Sequence, residues 1–201
     1  MTKGVGRVRW AINWGSWMQD RARWSALVLG VALLGAAWIA ISAVPASATT
    51  GGHIPSPREG FQAPSFALTN PTGETTRLED LRGQVVVLNF WASWCPPCKA
   101  EMPDLEASHM ANKDKGLVIL GINSTVQDSA EAAQSFAAAQ GITFPILLDR
   151  TGEVSRQYLV RALPTTFFID RQGIIRKVVV GGPMSEATLT STVRNLLEAG
   201  S

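Results

Sequence analysis

The sequence predicts an α/β domain with a mixed central sheet flanked by helices, preceded by one N-terminal transmembrane helix. Three observations carry this expectation: an uncharged apolar run from Ser25 to Val44, buried-strand runs that alternate with helical stretches from Val85 onward, and two adjacent strands joined by a short turn before a final helix. With 201 residues and 46% apolar content the chain can bury one good core.

Residues 1–24 carry Lys3, Arg7, Arg9, Arg21 and Arg23 against Asp20, a net charge of +4, while the rest of the chain sums to −2. The basic character therefore belongs to the tail and gives the domain no nucleic-acid partner. SALVLGVALLGAAWIAISAV, residues 25–44, is 20 residues long; as a helix it reaches about 30 Å, the thickness of a bilayer core. Arg21 and Arg23 precede it and no Lys or Arg follows until Arg58, so the positive-inside rule makes residues 1–24 a cytoplasmic basic tail and exports everything beyond Val44. Trp24 stands at the cytoplasmic end, and Trp10, Trp14 and Trp17 recur at near-helical spacing within the tail. The alternative to a retained anchor is a cleaved signal, since Ala46-Ser47-Ala48 has the small-x-small form of a cleavage site, but the span exceeds a signal core of about 7–15 residues. Both readings place the domain outside the cytoplasmic membrane.

Residues 45–63 are rich in Pro, Gly, Ser and Ala without hydrophobic period and read as a flexible linker, with His53 solvated inside it. The folded domain is expected over residues 64–201. Asn70-Pro71-Thr72-Gly73 is a turn between Ser65–Leu68 and Thr75–Arg77, hence a short hairpin. Leu78–Leu81 reads as a brief helical turn, and VVVLNF (Val85–Phe90) and LVILGIN (Leu117–Asn123) as strands buried on both faces. Between them a helix runs to about Met110, with Pro103 inside it and His109 exposed near its end. Asp128 as N-cap, Glu131 three residues on and Gly141 as the stop define a second helix. Strand 144–149, a short helix near Val154–Tyr158, strand 165–170, the turn 171–173, strand 174–181 and a helix over Ser185–Ala199 complete the chain. The pattern gives a sheet that is parallel in its first half and closed by an antiparallel hairpin.

The only two cysteines, Cys95 and Cys98, lie in NFWASWCPPCKAEMP. Structural zinc requires four N or S ligands, which two cysteines and two histidines, His53 among them in the linker, do not supply. As a staple the pair closes too short a loop to restrict the unfolded chain much. A Cys-x-x-Cys between a buried strand and a helix is instead placed for redox exchange. If Cys95 caps the helix, the orphan N–H groups and the positive end of the helix dipole favour its thiolate, and Cys98, one turn inward, resolves the mixed disulfide. Pro96 and Pro97 suit a first helical turn and remove two N–H donors from the thiolate, which argues for a reductant. Glu101 shares the helix face behind the pair: an ordinary surface acid, or, if buried, a carboxyl of raised pKa that exchanges a proton with Cys98. Leu163-Pro164-Thr165 precedes a strand, either as an ordinary trans loop or with a cis proline that presents backbone to a substrate.

FWASWCPPCKAEMP, LVILGIN, GITFPILLD and LPTTFFIDRQG, in that order, resemble the TlpA/ResA-like branch of the thioredoxin superfamily, membrane-tethered thiol-disulfide oxidoreductases of bacteria. The resemblance covers roughly residues 60–199. It implies a thioredoxin fold with an N-terminal β-hairpin and a central insertion around residues 123–149. It implies Cys95 as nucleophile, Cys98 as resolving thiol, Glu101 as the acid of a Cys-x-x-Cys-x-x-Glu pattern and Pro164 as a cis-proline facing the cysteines. Trp94, Pro96 and Pro97 on one side and Leu163 and Thr165 on the other are then the candidate substrate-binding residues. The redox-active disulfide Cys95–Cys98 is the only redox group implied, with no cofactor or metal. The implied partners are a disulfide-containing protein such as apocytochrome c and an electron-donating membrane thiol transporter of the CcdA/DsbD type; Pro-Pro stands where cytochrome-maturation members often carry other pairs.

Three rival functions lack their residues or share these. A peroxiredoxin needs Pro-x-x-x-Thr/Ser-x-x-Cys, and here the corresponding positions are Leu88 and Ala92. A Sco-type copper module needs Cys-x-x-x-Cys and a distant His, whereas the only downstream His is His109 on the same helix. A disulfide-forming oxidase would use the same cysteines in the opposite direction. No long exposed apolar run suits an oligomer interface, so a monomeric domain is expected.

Overall fold

The computed structural model describes residues 21–42 and 55–199, with the side chains of the first segment described over residues 24–38. The basic tail up to residue 20, the cleavage site at Ala48 and His53 lie outside the described residues. The chain divides into two units, residues 1–48 and 49–201. The first contributes helix α1 (Arg21–Ser42), 22 residues long. Leu27, Val28, Leu29, Val31, Leu33, Leu34 and Trp38 are all exposed on it, so its apolar surface is not confined to one stripe. Among the described residues no helix is long and apolar enough to cross a membrane.

The second unit holds a seven-stranded sheet. Its strands are β1 (Ala67–Thr69), β2 (Thr75–Arg77), β3 (Val85–Trp91), β4 (Leu117–Asn123), β5 (Ile146–Leu148), β6 (Thr165–Ile169) and β7 (Ile175–Val180), in the order β2-β1-β5-β4-β3-β6-β7. The helices are α2 (Pro96–Asn112), α3 (Ala130–Ala139), α4 (Glu153–Gln157) and α5 (Glu186–Glu198). The expected hairpin is β1–β2, and Leu78–Leu81 forms the expected helical turn. The insertion supplies α3 and β5, and β5 lies between β4 and β1, so it joins the hairpin to the parallel part of the sheet.

The site is placed by β3. Every residue of this strand is buried, as expected of a β-branched run with a ladder on each side. It pairs in parallel with β4, Val85 opposite Leu117 through Trp91 opposite Asn123, and antiparallel with β6, Phe90 opposite Thr165 and Val86 opposite Ile169. The antiparallel pairing sets the end of β3, four residues before Cys95, beside the start of β6, directly after Pro164. Strand alternation then sorts the two faces. Val85, Val87 and Trp91 pack with Met102 and Leu105 of α2 and Leu189, Val193 and Leu196 of α5. Val86, Leu88 and Phe90 pack with Leu147, Val154, Tyr158 and Phe167 on the other. Asn89 falls on the α2 face by the same alternation.

The flexible linker expected over residues 45–63 is corrected from residue 55 onward. Pro55 bridges Gln62, and Gln62 bridges Ile174. The N–H of Gly60 donates to Ile175 O at 2.8 Å, that of Ile175 to Phe61 O at 2.9 Å, and that of Ala63 to Gly173 O at 2.9 Å. Gln62 and Ala63 are buried. The segment is held by paired backbone groups rather than by an apolar stripe, so hydropathy period does not reveal it.

Gly121 of β4 shows how closely the cysteine face is packed. A Cβ there would lie 2.8 Å from Ile146 Cδ1, 3.1 Å from Phe144 Cε2 and 3.2 Å from Trp91 Nε1. Gly121→Ala is therefore expected to lower stability by about 1–3 kcal/mol through overpacking, read as a fall in thermal midpoint of the oxidised protein; an unchanged midpoint would show that Trp91 yields freely.

Candidate active site

The loop that leaves β3 delivers Cys95 to the start of α2. Cys95 is the N-cap, extended at φ −83° and ψ 109°, with Pro96 and Pro97 as the first two helical residues. Prolines are tolerated there because the first helical N–H groups have no intrahelical partner. They leave the Cys98 N–H as the backbone donor that reaches Cys95 Sγ, at 3.3 Å. The Lys99 N–H goes to Cys95 O at 3.1 Å. The two sulfurs are joined as a disulfide of 2.07 Å. Cys98 is fully buried and Cys95 is 2% exposed, yet Cys95 lines a groove of about 360 Å³.

Trp94, Pro96, Pro97 and Leu163, four of the candidate substrate-binding residues, line the same groove. Thr165 does not, which corrects that expectation. It is the first residue of β6, buried between β3 and β7, and its hydroxyl is used in donating to Ala162 O at 2.7 Å. Pro164 follows a cis peptide bond with Leu163. Gly182 passes close to it: a Cβ on Gly182 would be 3.1 Å from Pro164 Cγ and 3.4 Å from Glu101 Oε2. A groove of similar size, about 390 Å³ between β1 and α4, contains neither cysteine, so chemistry rather than volume identifies the site.

Glu101 is 1% exposed. Asn89 Nδ2 donates to its Oε1 at 2.6 Å and to Thr166 Oγ1 at 3.0 Å, and the Met184 N–H donates to its Oε2 at 3.0 Å. Burial raises its pKa, the two N–H donors oppose that rise, and Asp104 adds to it; the net shift is upward. Among the described residues no cation faces this carboxyl. The sequence marked Glu101 but missed its partners, although an Asn inside the apolar run VVVLNFW is the kind of polar intruder that signals a buried contact.

Asp128 is not the N-cap of α3. Ser129 takes that place, its Oγ accepting from the Ala132 N–H. Asp128 instead straps the cysteine loop to the insertion. Its carboxylate accepts from the Ser93 N–H at 2.6 Å, Ser93 Oγ at 2.7 Å, Asn123 Nδ2 at 2.8 Å and the Ser129 N–H at 2.9 Å. Burial works against the charged form, but these donors outweigh it and hold the pKa below the ordinary carboxylate range. Trp94 Nε1 donates to Gln127 O at 2.8 Å, and the Ser124 N–H to Trp91 O at 2.9 Å, so the strap runs along both loops. Among the described residues no cluster of three or more His, Cys, Asp or Glu side chains could hold a metal.

Residues 60–178 match the AhpC/TSA family. Thiol-disulfide oxidoreductase ResA of Bacillus subtilis is 39% identical over 142 residues, 71% of this chain and 77% of that protein. ResA of Geobacillus kaustophilus is 42% identical over 122 residues, 61% and 69% of the two chains. A Chlorobium tepidum structure described as thiol:disulfide interchange protein DsbE superposes with a TM-score of 0.65 at 34% identity, covering 70% of this chain and 98% of the other. The chain is a ResA-like thiol-disulfide oxidoreductase of the AhpC/TSA family.

For a ResA-like enzyme the buried acid has a consequence in solution. Because the folded state raises the Glu101 pKa, it binds a proton that the unfolded chain releases from about 4.5 upward. Stability of the oxidised protein should therefore fall as pH rises from the unfolded value through the folded one, and level off above it. Glu101→Gln removes that decline, to be checked by urea unfolding of both proteins across this window; parallel pH profiles would place the titration elsewhere. The strap has its own test. Asp128→Ala leaves four donors unpaired in this loop system, and amide exchange at Ser93 and Trp94 is expected to accelerate by about tenfold or more, with slow exchange retained in β4. Equal exchange rates would show that the loop holds itself.

Proposed function

We propose that this chain reduces protein disulfides on the outer face of the bacterial cytoplasmic membrane, held there by residues 25–44 with its N-terminus inside, and that its substrate is apocytochrome c before haem attachment. The observation that carries the reducing direction is the donor set at Cys95. With Pro96 and Pro97 in the first turn, the sulfur has the Cys98 N–H and the helix dipole but neither of the two preceding N–H groups. A thiolate with fewer donors is less stabilised, so the dithiol form gives up electrons more readily. The uncharged run Ser25–Val44, its arginine-marked entry and the unstriped apolar surface of α1 support the anchor.

In the reduced protein the Cys95 thiolate attacks one sulfur of the substrate disulfide. An S–S bond forms between Cys95 and the substrate, and the departing substrate sulfur leaves as a thiolate and takes a proton. Cys98 then gives its proton to the Glu101 carboxylate, one turn along α2, and attacks Cys95 Sγ. The Cys95–Cys98 disulfide forms, and the second substrate sulfur departs and takes up the proton that Glu101 received; two electrons and the Cys98 proton thus pass from the enzyme to the substrate, and the proton taken by the first sulfur comes from water. The raised pKa of Glu101 suits it to hold that proton. A membrane thiol transporter of the CcdA/DsbD type returns the enzyme to the dithiol state.

The deciding experiment is the reduction potential of the purified protein against graded thiol-disulfide buffers. A value near or below that of thioredoxin, about −270 mV, is expected; one near −120 mV would make it an oxidase. In intact cells a maleimide that cannot cross membranes should label the reduced Cys95, and protection until the cells are lysed would place the domain inside.

A further inference from the structure

We propose that Arg161 selects substrates whose target cysteine is flanked by an acidic residue, an inference that rests on the protein-disulfide reductase reading above. Of the residues that line the groove at Cys95, Arg161 alone carries a formal charge; the apolar contributors are Trp94, Pro96, Pro97, Val160, Ala162 and Leu163. Arg161 sits between α4 and Pro164, on a backbone that is firmly held. Leu159 adopts φ +52°, the left-handed region that a branched side chain enters only when its surroundings impose it. The Val160 N–H donates to Ser155 O at 2.9 Å, and the buried Asp149 fixes Ser155 by accepting from its N–H at 2.8 Å and its hydroxyl at 2.7 Å. Tyr158 is anchored by donating to Pro64 O at 2.7 Å.

The charge is also unanswered within the domain. Among the described residues Arg161 has no ion-pair partner and no hydrogen bond. The acids of the active site are both engaged: Glu101 is enclosed with Asn89 and the Met184 N–H, and the oxygens of Asp128 are taken by Ser93, Asn123 and Ser129. An extended substrate segment laid along this groove would therefore bury apolar contacts against the prolines and Trp94 while meeting a single positive charge in the groove that Cys95 lines. The complementary occupant is a polypeptide segment with Asp or Glu close to its disulfide; a Lys or Arg there meets like charge.

The test uses two cyclic peptides, each with one internal disulfide, identical except for Glu or Lys beside the attacked cysteine. The reduced full-length protein, Arg161→Ser and Arg161→Glu are each compared by the ratio of kcat/KM for the Glu peptide to that for the Lys peptide. Any change in the reactivity of Cys95 itself cancels in this ratio. The parent is expected to favour the Glu peptide over the Ser variant's ratio by about two- to fivefold, the range of an exposed charge pair, with the preference weakened by salt. Arg161→Glu should invert it. A ratio that neither substitution moves would overturn the proposal and leave the groove to bind by apolar contact alone. Failure of the parent to reduce either peptide, when a small dithiol reduces both, would overturn the reductase reading and this inference with it.

Discussion

The site depends on one strand being bound in opposite senses on its two sides. Parallel pairing with β4 requires a crossover, and that crossover is the helix begun by Cys95. Antiparallel pairing with β6 brings the chain past Pro164 into the same corner. Neither contact alone would assemble the chemistry. The alternation of β3 adds the third component, since a side chain at position 89 must face α2 and so must meet residue 101. Because β3 is buried along its whole length, slipping its register by one residue would expose apolar side chains and move Asn89 to the wrong face.

The carboxyl that Asn89 meets is held by neutral donors. A buried acid facing a lysine or arginine would be fixed in its charged form, whereas amide and backbone N–H groups offset only part of the cost of burial. The result is a group whose proton affinity lies above the ordinary carboxylate value, on the same helix as the two cysteines and three residues beyond Cys98. Asp128 shows the reverse balance: with four donors and more contact with water it remains charged and serves as a structural hub.

Much of this was legible in the residues. Apolar runs gave β3 and β4, turn chemistry gave the hairpin, and the Cys-Pro-Pro-Cys spacing gave both the cap and the redox pair, because each of these depends on local covalent or periodic constraints. What escaped the sequence is long-range pairing of polar groups. Asp128 precedes a helix and so looks like a cap, but a carboxylate follows its best donors, and those came from Ser93 and Asn123. Residues 55–63 look like a tether because their order comes from backbone bonds to a strand more than a hundred positions later. Thr165 lies beside Pro164 in sequence, but the strand turns its hydroxyl inward.

The two prolines at the head of α2 also separate two properties that are coupled in most enzymes. They occupy positions whose N–H groups have no duty in the helix, so exchanging them alters the donors around a sulfur while leaving the scaffold that holds it intact. On the reading proposed above, driving force can drift by single substitutions in that dipeptide, and partner choice by changes across the groove. A lineage with this architecture can be moved from one electron-transfer task to another without rebuilding its core.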